Sequence, residues 1–105
     1  MDGDRLKILI VEDDFISRRI LKEMLSPYGK IDMAKDGKEA VHAFYLAWEE
    51  QQPYDVIFMD IMMPEMDGQE ALKLIRDMEE EMGIYGSKKV KVVMTTALND
   101  PENVI

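Results

Sequence analysis

The side chains best placed for chemistry each follow an apolar run. Ile8-Leu9-Ile10-Val11 ends abruptly in three acids, Glu12-Asp13-Asp14. Val56-Ile57-Phe58-Met59 ends on Asp60, and Val92-Val93-Met94-Thr95 is followed by Thr96. Carboxylates gathered in one crevice repel each other and raise at least one pKa, which a divalent cation relieves. A set of carboxylates, a backbone carbonyl and waters suits Mg²⁺ rather than zinc or copper. A carboxylate beside such an ion can attack a phosphoryl group and form an aspartyl phosphate. The ion then neutralises the phosphoryl oxygens. The Thr96 hydroxyl can donate to a phosphoryl oxygen only once that group has arrived, which makes it a sensor able to draw a loop inward. No thiol competes for this role, since the chain has no Cys, and its one His, His42, falls in a helical stretch away from these run ends.

Short uninterrupted runs rich in β-branched residues read as strands buried on both faces. Between the first two strands, Phe15 to Leu25 reads as a helix with Ile16, Ile20 and Met24 on one apolar stripe and Leu21 and Leu25 beside it. Ser26-Pro27-Tyr28-Gly29 stops it. A weaker strand follows at Ile31 to Ala34. Asp36 and Glu39 form a capping-box pattern that opens a helix whose buried stripe is Val41, Phe44 and Trp48. Asp67 and Glu70 repeat the pattern ahead of a helix burying Ala71, Ile75, Met78 and Met82. The charged exit from Glu79 to Lys89 reads as a surface extension with no bearing on the chemistry. Val90 to Thr95 is a fourth strand, and Asn99-Asp100-Pro101-Glu102 is a helix start. Strict alternation predicts an α/β fold, a parallel sheet with helices on both faces and right-handed crossovers. In such sheets a site lies beyond the carboxyl ends of the strands, near a topological switch point. That is where the acids and Thr96 fall.

A chain of 105 residues predicts one domain. Its 13 basic and 22 acidic residues give a net charge of −9, which disfavours nucleic acid and anionic membranes as direct partners. The lack of Cys excludes disulfides and thiolate metal sites and fits a reducing compartment. Met1-Asp2-Gly3-Asp4-Arg5 has neither the basic start nor the apolar stretch of a signal peptide. No apolar run is long enough to span a bilayer, so a cytoplasmic location is expected. Met62, Met63 and Met66 read as gap fillers rather than a soft-metal site, and Lys88, Lys89 and Lys91 as a solvated basic patch.

Asp60-Ile61-Met62-Met63-Pro64-Glu65-Met66-Asp67-Gly68 resembles the D-x-x-M-P-x-M-D-G segment of response-regulator receiver domains. Ile8 to Asp14 resembles their first strand and acidic pair, and Val92-Val93-Met94-Thr95-Thr96-Ala97 their fourth strand. The three segments match in order and span nearly the whole chain. The resemblance implies a flavodoxin-like, doubly wound sheet of order 2-1-3-4 and a phosphoacceptor switch of a two-component system. Asp60 is then the phosphoacceptor and a metal ligand, Asp13 a direct Mg²⁺ ligand and Glu12 a ligand acting through water. The backbone carbonyl of Met62 completes the set, and Thr96 is the switch hydroxyl. Aligned without a gap through Arg18-Arg19, the acidic pair is Glu12 and Asp13; shifted by one, it is Asp13 and Asp14. The implied partners are a sensor histidine kinase or phosphotransfer protein and a downstream protein target. Nucleic acid and membrane are not expected to bind through this domain, and the chain is expected to be a regulator rather than an enzyme.

The family also has a fifth strand, bearing a Lys and an aromatic residue, and no Lys follows Lys91 here. Residues 1–105 are therefore expected to form a receiver domain incomplete at its C-terminal end, lacking the fifth strand and last helix. Its fourth strand is then an exposed apolar edge open to dimerisation or strand exchange. Two other functions compete. A receiver-like interaction module, or a fragment, would take no phosphate. A Mg²⁺-dependent phosphohydrolase would place a general acid two residues after Asp60, where this chain has Met62.

Overall fold

The computed structural model describes residues 5–61 and 66–95. The apolar runs become β1 (Leu6–Val11), β2 (Gly29–Ala34), β3 (Val56–Asp60) and β4 (Lys91–Thr95), alternating with α1 (Phe15–Leu25), α2 (Gly37–Glu49) and α3 (Gly68–Glu81). The strands form one parallel sheet of order β2-β1-β3-β4. This is the flavodoxin-like, doubly wound order that the resemblance implies. Met62, Thr96 and the expected helix start at Asn99 lie outside the described residues.

Successive strand residues point to opposite faces, and the core divides accordingly. Ile8 and Ile10 pack with Leu21 of α1, joined by Leu25, Ile31, Val56 and Phe58. Leu9 and Val11 pack on the other face with Ala40 and Phe44 of α2, Ile57 and Met59 of β3, and Ala71 and Ile75 of α3. The central strand β1 is thus apolar on both faces, as its uninterrupted run requires. In α2 the buried line is Ala40, Phe44 and Ala47, while Val41 and Trp48 are only partly buried.

Each helix begins on an aspartate. Asp14, Asp36 and Asp67 accept hydrogen bonds from the backbone N–H of Ser17 (2.8 Å), Glu39 (2.9 Å) and Glu70 (2.8 Å), the usual N-cap arrangement. The expected capping box at Asp36 closes one residue early, because the Glu39 carboxylate accepts from Lys35 N–H at 3.0 Å instead.

Three expectations are corrected. In α1 the buried line is Ser17 and Leu21, while Ile16, Ile20 and Met24 are 66%, 45% and 62% exposed. This rotation packs Leu21 against Ile8 and Ile10 of β1, and Arg18 Nη1 donates back to the carbonyl of Glu12 at 2.9 Å. In α3 the buried line runs Ala71, Ile75, Glu79, and Met82 is exposed. A buried carboxylate is tolerated there because both of its oxygens have partners, Arg76 and the backbone N–H of Val90. The exit from α3 is not wholly a surface extension: residues 80–83 and 85–89 are exposed, but Ile84 is buried, as are Glu79 and Val90 on either side. Among the described residues β4 pairs only with β3, with Val93 exposed on its face, and no helix is long and apolar enough to cross a membrane.

Candidate functional site

The register of the sheet builds the site. Val11 of β1 lies opposite Met59 of β3, so the next residues, Glu12 and Asp60, leave the sheet side by side at its carboxyl edge. Asp13 follows one residue later. Ligand oxygens of Glu12, Asp13 and Asp60 all lie within 4.8 Å of one another. Glu12 and Asp60 are 3% and 2% exposed, and Asp13 faces solvent. Asp14 turns away to cap α1, and the Ser17 hydrogen bonds hold its carboxyl below the usual carboxylate range. Of the two pairings left open by the sequence, Glu12 and Asp13 are the pair brought to Asp60.

The backbone under these acids is held from several sides. Glu12 N–H donates to the carbonyl of Ala34 at 3.1 Å, tying the end of β1 to the end of β2. Arg18 Nη1 donates to the carbonyls of Glu12 and, at 3.4 Å, Asp13. Asp14 N–H donates to Glu12 Oε1 at 3.1 Å. Gly68, the first residue of α3, sits against the backbone of Asp60: a Cβ there would lie 2.3 Å from the Asp60 carbonyl oxygen. A Cβ on Gly37 would lie 2.5 Å from the carbonyl oxygen of Met66. The amino ends of α2 and α3 thus both press on the loop that follows Asp60. The hydroxyl of Thr95 is committed to the Met59 carbonyl at 3.3 Å.

Burial, chiefly, pushes the Glu12 carboxyl up to about 7, with the charge of Asp60 and hydrogen bonds to Asp60 and Asp13 adding to it and the Asp14 N–H opposing. Without a cation, Glu12 holds a proton well above the usual carboxylate range because full ionisation would crowd negative charge in a nearly dry crevice. A hard divalent cation removes that penalty, and the donor set is all oxygen, which fits Mg²⁺. The arrangement can hold such an ion and present a carboxylate beside it.

Of the sequence-predicted site residues, Glu12, Asp13 and Asp60 converge, while Met62 and Thr96 lie outside the described residues. Sequence reasoning missed the backbone clamp of Arg18 and the close approaches of Gly37 and Gly68. Both glycines follow an N-cap aspartate at a helix start, where a better helix former is the default, and that position marks a close backbone approach.

A sequence profile of the response regulator receiver domain matches residues 8–105. The chain is 42% identical over 91 residues to probable histidine kinase 2 of Oryza sativa subsp. indica, covering 77% of this chain and 9% of that protein. It is 42% identical over 95 residues to hybrid signal transduction histidine kinase B of Dictyostelium discoideum, covering 88% of this chain and 5% of that protein. The chain thus spans less than a tenth of the length of these relatives. Among solved structures it resembles the receiver domain of the histidine kinase CKI1 from Arabidopsis thaliana complexed with Mg²⁺ and BeF₃⁻. That match has TM-score 0.75 and 31% identity, covering 90% of this chain and 68% of that one. A chain in the co-crystal structure of the Saccharomyces cerevisiae phosphotransfer protein Ypd1 with the receiver domain of Ssk1 matches with TM-score 0.74 and 37% identity, covering 91% and 66%.

Proposed function

This chain belongs to the response regulator receiver domain family of two-component signalling, and on that premise we propose that it is a phosphoacceptor switch in which Asp60 takes a phosphoryl group in a Mg²⁺-dependent reaction. The observation that carries this reading is the convergence of Glu12, Asp13 and Asp60 at the carboxyl ends of two adjacent strands. Asp13 and Asp60, with the carbonyl of Met62, would hold the ion, and Glu12 would act on it through water. Bound there, Mg²⁺ supplies neutralisation of the phosphoryl oxygens.

The chain's own residues do the rest. A carboxylate oxygen of Asp60 attacks phosphorus on a phosphohistidine donor; the new O–P bond forms as the P–N bond breaks, and the electron pair leaves with the imidazole nitrogen. Arg18 fixes the carbonyls behind Glu12 and Asp13, which keeps their carboxyls aimed at the crevice. Gly68 lets α3 sit directly against the Asp60 backbone. Thr96 donates its hydroxyl to a phosphoryl oxygen after transfer and carries the signal to the surface around β4 and the segment that follows. The donor protein docks on α1, whose apolar residues Phe15, Ile16, Ile20 and Met24 are exposed and begin two residues after Asp13. The domain regulates a protein target and is not itself an enzyme.

The test is phosphorylation by acetyl phosphate with and without Mg²⁺, read by intact mass, beside Asp60→Asn. One phosphoryl group gained only with Mg²⁺, and absent in the variant, is the expected result. A folded chain that gains none overturns the reading and leaves an interaction module or a fragment; an equal gain in Asp60→Asn overturns Asp60 as the acceptor.

A further inference from the structure

The amino-terminal edge of the sheet, at the far end of the strands from Asp60, gathers basic residues that lie far apart in the sequence. Arg5 precedes β1 and Lys7 is its second residue; Lys30 is the second residue of β2; Lys88 and Lys89 lead into β4, and Lys91 begins it. These are six of the 13 cations of a chain whose net charge is −9. The register makes Lys7 and Lys30 direct partners on neighbouring strands, and like charges so placed destabilise a sheet.

The rest of the molecule pairs its cations more readily. Arg19, Lys35, Lys73 and Arg76 each meet a glutamate or aspartate three or four positions along the chain. Among the described residues, no carboxylate forms an ion pair with any of the six edge cations. Arg5 donates to the carbonyls of Ser26 and Gly29, and Lys7 to that of Gln52. Asp55, just before β3, gives its carboxylate to the backbone N–H of Lys7 at 2.7 Å. Asp32 and Glu50 bear on the Tyr54 hydroxyl instead. Asp2 and Asp4 precede Arg5 in the chain and offset at most two of the six charges.

The edge is also grooved. A cavity of about 520 Å³ is lined by Arg5, Leu6, Lys7, Lys30, Gln52 and Pro53, with no acid among them. A second, of about 640 Å³, shares Leu6 and Pro53, includes Asp55 as its one acid, and runs on to Lys88, Lys89 and Lys91. Leu6 is 44% exposed in this groove.

We propose that this edge docks an acidic polypeptide segment carrying a large apolar side chain, the acids meeting the unpaired cations and the apolar residue resting on Leu6 and Pro53. Charge complementarity selects the class of partner. A nucleic acid brings a long, dense line of phosphates against a net charge of −9, whereas a short acidic segment stays within a Debye length, about 8 Å, of the basic edge. The surface is remote from Asp60, so the proposal stands or falls independently of phosphorylation.

The test is fluorescence anisotropy of the chain with a short labelled peptide of Glu and Asp around a central Leu. Saturable binding that weakens with salt is expected, reduced about tenfold or more by Arg5→Glu, Lys30→Glu and Lys89→Glu together. The triple variant Arg19→Glu, Lys22→Glu and Lys73→Glu, with the same change in net charge, should bind within about twofold of the parent. Lys88→Gln with Lys89→Gln, on exposed positions only, should still weaken binding if the first variant misfolds. A flat titration, or equal loss in both triple variants, overturns the proposal. So does tighter binding of a single-stranded oligonucleotide, or self-association of the chain that the edge substitutions abolish, since either names a different occupant.

Discussion

The carboxylate of Glu79, in the last turn of α3, accepts a 2.7 Å hydrogen bond from the backbone N–H of Val90, while its other oxygen meets Arg76 Nη1 at 2.6 Å. A single side chain thus fastens the helix to the entry of β4. Glu79→Ala strands the Val90 donor and opens a void, and should cost about 2–3 kcal/mol in urea unfolding. Arg76 is one-third exposed and can turn to water, which keeps the loss below that of a fully buried pair. Glu79→Gln retains an acceptor for Val90 and should cost about half as much. Equal losses for the two variants would mean that volume, not the hydrogen bond, holds the joint.

Glu12 makes the stability of the metal-free protein depend on pH. Its carboxyl is raised from 4.5 to about 7 in the folded state, so the native protein binds that proton more tightly than the unfolded chain. The resulting stabilisation is complete below pH 4.5 and is lost as pH rises through about 7. It amounts to at most about 3 kcal/mol. Urea midpoints should fall from about pH 5 to about pH 8, and Glu12→Gln should flatten that fall. Mg²⁺ favours the ionised carboxyl, so it should raise stability more at the higher pH; an equal effect at both would remove Glu12 from the metal's surroundings.

Two glycines separate close approach from backbone strain. Gly68→Ala forces a Cβ to 2.3 Å from the Asp60 carbonyl oxygen, and α3 must shift off the strand end. The expected cost is about 1–3 kcal/mol, with slower phosphorylation of Asp60 even where the protein stays folded. Gly83 has φ +73° and nothing within 4 Å of its would-be Cβ. Gly83→Ala should cost about 1 kcal/mol through backbone strain alone and leave the phosphorylation rate unchanged.

On α1, Leu21→Ala should cost about 2–4 kcal/mol, because Leu21 packs on Ile8 and Ile10. Ile20→Ala, one position away and 45% exposed, should change stability by less than about 0.5 kcal/mol. Under the proposed docking, Ile20→Ala should nonetheless slow phosphoryl transfer from a phosphohistidine protein while leaving transfer from acetyl phosphate intact. Transfer from both donors at the parent rate would remove α1 from the docking face.

The parallel sheet and the crevice at its carboxyl ends were legible because three apolar runs end at the acids or Thr96, while the strand order came from the resemblance to receiver domains. The convergence of Glu12, Asp13 and Asp60 follows from that order alone. The rotation of α1 was not legible. Ile16, Ile20 and Met24 make as regular a stripe as Ser17, Leu21 and Leu25, and only contact with the sheet decides between them. Glu79 was hidden for a related reason: an acid on a charged helix reads as solvated until its partner, 11 residues later in sequence, is brought beside it. Of the edge cations, Lys88, Lys89 and Lys91 were legible as a basic patch, whereas Arg5, Lys7 and Lys30 join them only through the strand register.

The central place of β1 also sets an order of events at the ribosome. β1 is made first, yet its pairing with β3 requires residues up to Met59. At about 5–20 residues per second, the apolar segment Ile8–Val11 waits on the order of seconds with one edge unpaired. The earliest structure open to it is the β1–α1–β2 unit, in which α1 already covers Ile8 and Ile10. The face carrying Leu9 and Val11 closes only when α2, β3 and α3 arrive. Premature termination within α2 therefore leaves a sticky half-sheet, with the partners that would cover it not yet made.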